Sequence, residues 1–403
     1  MLTNSVTDIP EKVSYKVGSA ELVRKLDEVS AKHPFDDRIL DFMNDVSKGI
    51  MKKSESRMYP DVVTFGFWIR KASLQALKNR FCNDEAFRLG KGVLFHIAPS
   101  NVPVNFAYSL AVGLMMGNAN VVRIPSKDFP QVSIITDVIK DVLSDYKDLE
   151  PYVILVRYER DKDINDLFSS LCDVRVIWGG DNTIEEIRRS PLPPRSGEVT
   201  FADRYSLAVI DSDCYMNITD KDKVAEDFYN DTFLTDQNAC TSPRIVIWTG
   251  KQIEEAKSEF WKREHALASR KYGFQPIQGI DKLVRGYLVA VSESSVKIVR
   301  SEDNIITRVQ LGELSDDLME KKGNSGFFFE YDCKDISDIR SLCNDKHCQT
   351  VSYIGDKEMF LPLAESGIKG IDRIVPVGKT MDFDMIWDGY NLSECFTRYI
   401  SLQ

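Results

Sequence analysis

The chain has 403 residues, 43% of them hydrophobic and 28% charged, which excludes a disordered chain, a collagen and a coiled-coil rod. Its 62 acidic and 52 basic residues give a net charge of −10, which argues against a nucleic-acid partner or a basic membrane-surface protein. Eight cysteines are far too few for a disulfide scaffold, and the opening MLTNSVTDIPEKV has no apolar leader. Reduced thiols and a cytoplasmic protein are the expectation.

Residues 1–60 are polar, with helical spacing in AELVRKLDEVSAKH and RILDFMNDVSKGIMKKS. A charge-free stretch then runs from Gly92 to Val122. It is long enough for a membrane span, but Pro99, Asn101, Pro103, Asn105, Gly117, Asn118 and Asn120 interrupt it. A buried strand (GVLFHIAPS), a loop and a buried helix (FAYSLAVGLMMG) stopped by Gly117 explain it better. NVVRIPS, YVILVRY and VRVIWGG read as further strands, with helices between them. That alternation predicts right-handed crossovers and a parallel sheet covered on both faces. RRSPLPPRSGE is a proline-rich loop or crossover. YSLAVID reads as a fifth strand of the same sheet, and a second α/β unit begins between about 212 and 235.

Four places could carry chemistry. Cys240 lies in TDQNACTSPR, between a helix and a strand, among small and polar neighbours. Such a loop can expose a thiol and offer dipoles to its thiolate, so Cys240 is either a nucleophile or a capping cysteine. Asn101 follows the first strand of the sheet, where open α/β folds bind ligands. Its amide can serve a developing oxyanion, or it can be an Asx-turn residue. VVRIPSKD ends the next strand, where Ser126 and Lys127 could meet an adenosine ribose. WGGD offers a glycine pair at a strand-to-helix turn, but no G-x-G-x-x-G fingerprint is present. Cys343, His347 and Cys348 form C-x3-H-C without a fourth ligand at useful spacing, so no metal is expected. His96 sits mid-strand and reads as a satisfied core histidine.

Together these segments resemble the aldehyde dehydrogenase superfamily: IAPSNVP its asparagine loop, WGGD its strand-end Gly-Ser, and DQNACTSPRIVIW its nucleophile loop. ACTSP, DRIVPVGK and WDGYNL resemble more closely the LuxC-type acyl-CoA reductases, the fatty-acyl reductase branch of bacterial luminescence. The resemblance implies an α/β fold of two domains with parallel sheets and an active site in the cleft between them. It divides the chain into a helical N-terminal region (1–60), a nicotinamide-binding domain (61–220), a catalytic domain (221–385) and a C-terminal segment (386–403). It makes Cys240 the acyl-accepting nucleophile and Asn101 its oxyanion donor. Pro99, Ser100, Arg123, Ser126, Lys127, Gly179, Gly180 and Asp181 would lie along the cofactor. Lys127 favours NADPH over NADH, because a cation suits the 2′-phosphate.

Hydrolytic relatives carry a glutamate base where VTFADRYSLAVI places Phe201. Its absence suits reduction of a long-chain acyl thioester to the aldehyde rather than oxidation to an acid. The donor would be acyl-CoA or an acyl-protein, with an acyl-protein synthetase as a candidate partner and a homo-oligomer as the expected assembly. A CoA-acylating aldehyde dehydrogenase, an acyl-phosphate reductase and a catalytically idle scaffold are the alternatives.

Overall fold

Near-continuous apolar strands need cover on both faces, and the chain supplies it twice. The computed structural model describes residues 9–82, 87–293 and 295–401. It separates into two compact units: residues up to Ala202 together with Tyr390 onward, and Asp203–Gly389.

In the first unit the strands are β1 (Ser14–Val17), β2 (Phe87–Gly90), β3 (Val93–Ile97), β4 (Ala119–Arg123), β5 (Val153–Arg157), β6 (Val174–Trp178) and β7 (Gly197–Phe201). Six form one sheet in the order β1-β5-β4-β3-β6-β7, parallel except for β1. The helices are α1 (Ala20–Arg24), α2 (Asp37–Lys52), α3 (Pro60–Trp68), α4 (Lys71–Phe81), α5 (Asn105–Met115), α6 (Pro130–Leu143), α7 (Lys162–Leu171) and α8 (Asp181–Arg188). All five residues of β3 are buried, as its apolar run predicts.

The charge-free stretch from Gly92 resolves into β3, a loop, α5 and β4. Gly117 ends α5 with φ +81°: its N–H bonds the Leu114 carbonyl (2.8 Å), and the Asn118 N–H bonds that of Gly113 (3.1 Å). That pair of bonds is the Schellman closure, which needs a left-handed residue at this position. The proline-rich 188–198 segment links α8 to β7.

The second unit holds β8 (Tyr205–Asp211), β9 (Pro243–Thr249), β10 (Val296–Arg300), β11 (Thr307–Leu311), β12 (Phe327–Asp332), β13 (Cys348–Ile354) and β14 (Arg373–Pro376). Their order is β10-β11-β12-β9-β8-β13-β14, parallel except for the β10–β11 pair. Helices α9 (Ser212–Asn217), α10 (Lys221–Asp231), α11 (Ile253–Lys271) and α12 (Pro276–Ser292) belong to it. Leu207, Val209, Ile245 and Ile247 pack on one face, while Ala208, Ile210, Val246 and Trp248 pack on the other. Alternation along β8 and β9 thus builds two cores, each buried side chain contributing about 1.5–3 kcal/mol.

Two boundaries differ from the sequence reading. The units divide after Ala202, not at 220, because YSLAVID is β8, which pairs with β9 and β13 of the second sheet. The 1–60 region is not wholly helical: β1 adds antiparallel to β5 at the edge of the first sheet. At the other end, Thr397–Ile400 forms β15, antiparallel to β2, which returns the C-terminus to the first unit.

Candidate active site

The first sheet reverses its winding between β3 and β6, the two strands on which the chain's two halves start outward. Open α/β sheets bind ligands outside the carboxyl ends of their strands at such a switch point. Three adjacent strands, β4, β3 and β6, deliver the expected residues to that one edge. Pro99, Ser100 and Asn101 follow β3; Arg123 closes β4, with Ser126 and Lys127 just beyond; Gly179, Gly180 and Asp181 follow β6.

Ser100, Asn101, Ser126, Lys127, Gly180 and Asp181 are exposed there. Arg123 is instead engaged with the protein: its guanidinium lies 4.6 Å over the Tyr158 ring and donates to the Tyr158 carbonyl (3.3 Å). Gly180 caps α8 without a side-chain hydrogen bond, so the first N–H groups of that helix face the edge with a favourable dipole for an anion.

Buried polar contacts behind this edge hold it in place. The Trp178 indole N–H donates to Ser109 Oγ (3.1 Å), and Ser109 Oγ meets His96 Nδ1 (2.7 Å). His96 Nε2 meets Asn120 Oδ1 (3.0 Å), an acceptor, which makes Nε2 the protonated nitrogen. Burial lowers the His96 pKa to about 4, so the ring is neutral. It is the satisfied core histidine that its mid-strand position suggests. At the end of β7 Phe201 is buried and stacks on Trp178, centroids 3.6 Å apart.

In the second unit Cys240 sits in a tight turn between α10 and β9. Asp236 and Gln237 both adopt left-handed backbone, with φ of 53° and 52°. Buried Gln237 pins them: its Nε2 donates to the Pro243 carbonyl (3.1 Å) and its Oε1 accepts the Gly326 N–H (2.8 Å). Asn324 Nδ2 donates to Asn238 Oδ1 (2.7 Å). Ser206 Oγ of β8 donates to the Cys240 carbonyl (2.7 Å) and accepts the Thr350 N–H of β13 (3.2 Å). The turn is therefore clamped to β8, β12 and β13, which fixes the thiol's position.

Burial pushes the Cys240 thiol up to about 11, and Asp388 and then Asp203 add to the rise. The Gln349 side chain and the Cys240 backbone N–H act the other way. At neutral pH the resting sulfur is thus a thiol, not a thiolate. Gln349 and Asp388 were not among the expected site residues. Both lie in segments whose local pattern reads as strand or turn.

Cys172, Cys333, Cys343 and Cys348 are buried, and Cys214 is exposed on α9. Among the described residues no group of three or more His, Cys, Asp or Glu could hold a metal ion. No helix among them is long and apolar enough to cross a membrane.

The fold is that of the aldehyde dehydrogenases. Lactaldehyde dehydrogenase from Escherichia coli superposes with a TM-score of 0.64 over 95% of this chain and 91% of that one, at 14% identity. Within that fold the chain is similar to the LuxC-type acyl-CoA reductases over part of its length. The acyl-CoA reductase (LuxC) family matches residues 73–270. Two curated relatives, both long-chain acyl-protein thioester reductases, are 21% identical: one from Photorhabdus laumondii over 79% of this chain, one from Vibrio harveyi over 72%. The chain spans 64% and 59% of their lengths.

Proposed function

We propose that this protein reduces an acyl thioester to the aldehyde through an acyl-Cys240 intermediate. The observation that carries the reading is a cysteine fixed by Gln237 and Ser206 in the turn before β9, on this fold and in the stretch that the family matches. The acyl donor is a long-chain thioester, on CoA as the family description says or on protein as the names of the relatives say.

The steps balance. Cys240 loses its proton and its sulfur attacks the thioester carbonyl; the donor's C–S bond breaks and the donor leaves as a free thiol. Asn101 is the proposed side-chain donor to the oxyanion, where one such donor is worth about 3–4 kcal/mol. A nicotinamide cofactor, when bound, supplies the hydride that reduces the acyl carbon. The Cys240–carbon bond then breaks, the aldehyde leaves and the sulfur regains a proton.

The residues at the first sheet's carboxyl edge fit such a cofactor. The uncapped N-terminus of α8 suits its pyrophosphate, and exposed Lys127 suits a 2′-phosphate, which favours NADPH. Phe201, buried against Trp178, replaces the glutamate of hydrolytic relatives. It offers no base to activate water, which protects the acyl-cysteine until reduction.

Intact mass after mixing with a long-chain acyl-CoA, or with an acylated carrier protein, tests the reading. An acyl adduct should form on the parent, disappear when NADPH is added, and never form on Cys240→Ala. Asn101→Ala should form it on the order of 10²-fold more slowly. No adduct from either donor would overturn the proposal. Thioacyl formation from aldehyde and oxidised cofactor alone would favour the reverse, CoA-acylating direction.

A further inference from the structure

Helix α12 (Pro276–Ser292) carries an apolar face that its own chain leaves uncovered. Ile277, Ile280, Val284, Tyr287, Leu288 and Val291 are each more than half exposed, Val291 at 89%. They recur at the three- and four-residue spacing that gathers side chains on one side of a helix. A monomer rarely exposes a contiguous apolar patch of more than a few hundred Å² without a use for it.

The helix cannot roll to bury this face, because its opposite side is anchored. Lys282 is buried, and its ammonium donates to the carbonyls of Ile305 (2.7 Å) and Ser325 (2.6 Å). Val289 is buried in the core of the second unit. Gly286 lies so close to β10 that a Cβ would stand 3.3 Å from Ile298 Cδ1. Rolling α12 would strip a buried charge of both acceptors.

The order of the residues says what fits. Ile280 and Leu288 stand four residues either side of Val284, and Ile277 and Val291 stand seven either side. The stripe therefore reads the same in both directions, which an isologous two-fold contact requires and a contact with an unrelated protein does not. A two-fold axis beside Val284 lays two α12 helices antiparallel. Ile277 of one copy then meets Val291 of the other, and Ile280 meets Leu288.

Two exposed charges fit the same axis. Asp281 and Arg285 lie on one flank of the stripe, about 60° and 100° round the helix from Val284. The axis keeps each flank on its own side and reverses direction along the helix. With the usual helical rise, Asp281 of one copy then stands within about 3 Å, measured along the helix, of Arg285 of the other. Each dimer thus gains two acid–base pairs. Arg285 donates one N–H to the Lys322 carbonyl (2.9 Å), and its guanidinium has further donors for a carboxylate. A lipid surface fits less well: helices that lie on membranes carry a basic polar flank, whereas this flank pairs one acid with one base on a chain of net charge −10.

We propose that α12 is a contact between two copies of this protein, paired antiparallel about Val284. Sedimentation velocity of the full chain over a micromolar concentration series tests it. The parent should pass from monomer to dimer as concentration rises. Val284→Glu sets two carboxylates against each other at the axis and should raise the dissociation constant at least about tenfold. Asp281→Arg and Arg285→Asp should each weaken the dimer by about tenfold, because like charges then face each other. Mixed together, these two variants regain both acid–base pairs and should form a mixed dimer of nearly parental affinity. Misfolding of either variant cannot produce that recovery.

A parent that stays monomeric throughout would overturn the proposal, as would a dimer indifferent to Val284→Glu or charge variants that do not recover on mixing. A monomeric parent that sediments with anionic phospholipid vesicles would overturn it in favour of a lipid surface. None of these readouts depends on the proposed reaction.

Discussion

Lys127 is where a single side chain should decide cofactor choice. It is exposed just past the end of β4, so its replacement leaves the buried sheet untouched. A cation at that strand end attracts a 2′-phosphate and gains nothing from a bare ribose. Lys127→Glu should therefore raise the KM for NADPH about tenfold, equivalent to about 1.4 kcal/mol, and leave NADH use nearly unchanged. Equal losses with both cofactors would mean that Lys127 does not meet the 2′ position. Residues of this kind could be proposed from the sequence because each stands in a contiguous motif at a strand end, as Asn101 does in APSNVP. Cys240 could be proposed because DQNACTSPR is a contiguous motif just ahead of β9. Gln349 and Asp388 could not. Their meaning comes from a contact across 39 positions of chain, and a buried amide in QTVSYIG looks locally like any strand residue.

At the scale of elements, α5 lies so close to β3 and β4 that Gly113 is required. A Cβ there would come within 1.9 Å of Asn120 Oδ1 and 3.3 Å of His96 Nε2. Asn120 cannot yield cheaply, since its Nδ2 donates to the Asn118 carbonyl (2.7 Å) and the Tyr152 carbonyl (3.2 Å). Gly113→Ala should thus break the His96–Asn120 bond and strand buried polar groups, at a cost of about 2–4 kcal/mol. Urea unfolding would register it as a lower midpoint at unchanged slope; a midpoint equal to the parent's would show that α5 can shift outward. The sequence made α5 and its glycine stop visible, because a run of apolar residues followed by Gly-Asn is a local signal. It misassigned YSLAVID to the first sheet because an apolar strand carries no mark of its partners. Pairing of β8 with β9 and β13 is a long-range choice. The four-residue SYKV of β1, mostly exposed, carries too little pattern to be read as a strand at all.

For the molecule as a whole, the buried acids set how stability responds to pH. Glu264 on α11 is fully buried, and both of its carboxylate oxygens lack hydrogen-bond partners. Burial first, and then the charge of Glu226, raises its pKa well above the ordinary 4.5. Asp231 moves the same way, to about 6, through burial that its bonds from the Gly378 N–H (2.6 Å) and the Thr380 N–H (3.2 Å) only partly offset. In both cases the folded chain holds a proton that the unfolded chain releases. Stability is therefore greatest below the unfolded values and declines as pH rises through them, with a limiting slope of about 1.4 kcal/mol per pH unit for each group. Glu264→Gln replaces the titrating group by a neutral one of the same shape. It should melt close to the parent at pH 5 and above it at pH 8, each kcal/mol gained appearing as roughly 1 °C for a chain of this length. The difference between the two pH values isolates Glu264, because Asp231 contributes equally to both proteins. A gain of the same size at pH 5 and pH 8 would mean that Glu264 is ionised in the folded chain at both, and that α11 lets water reach it.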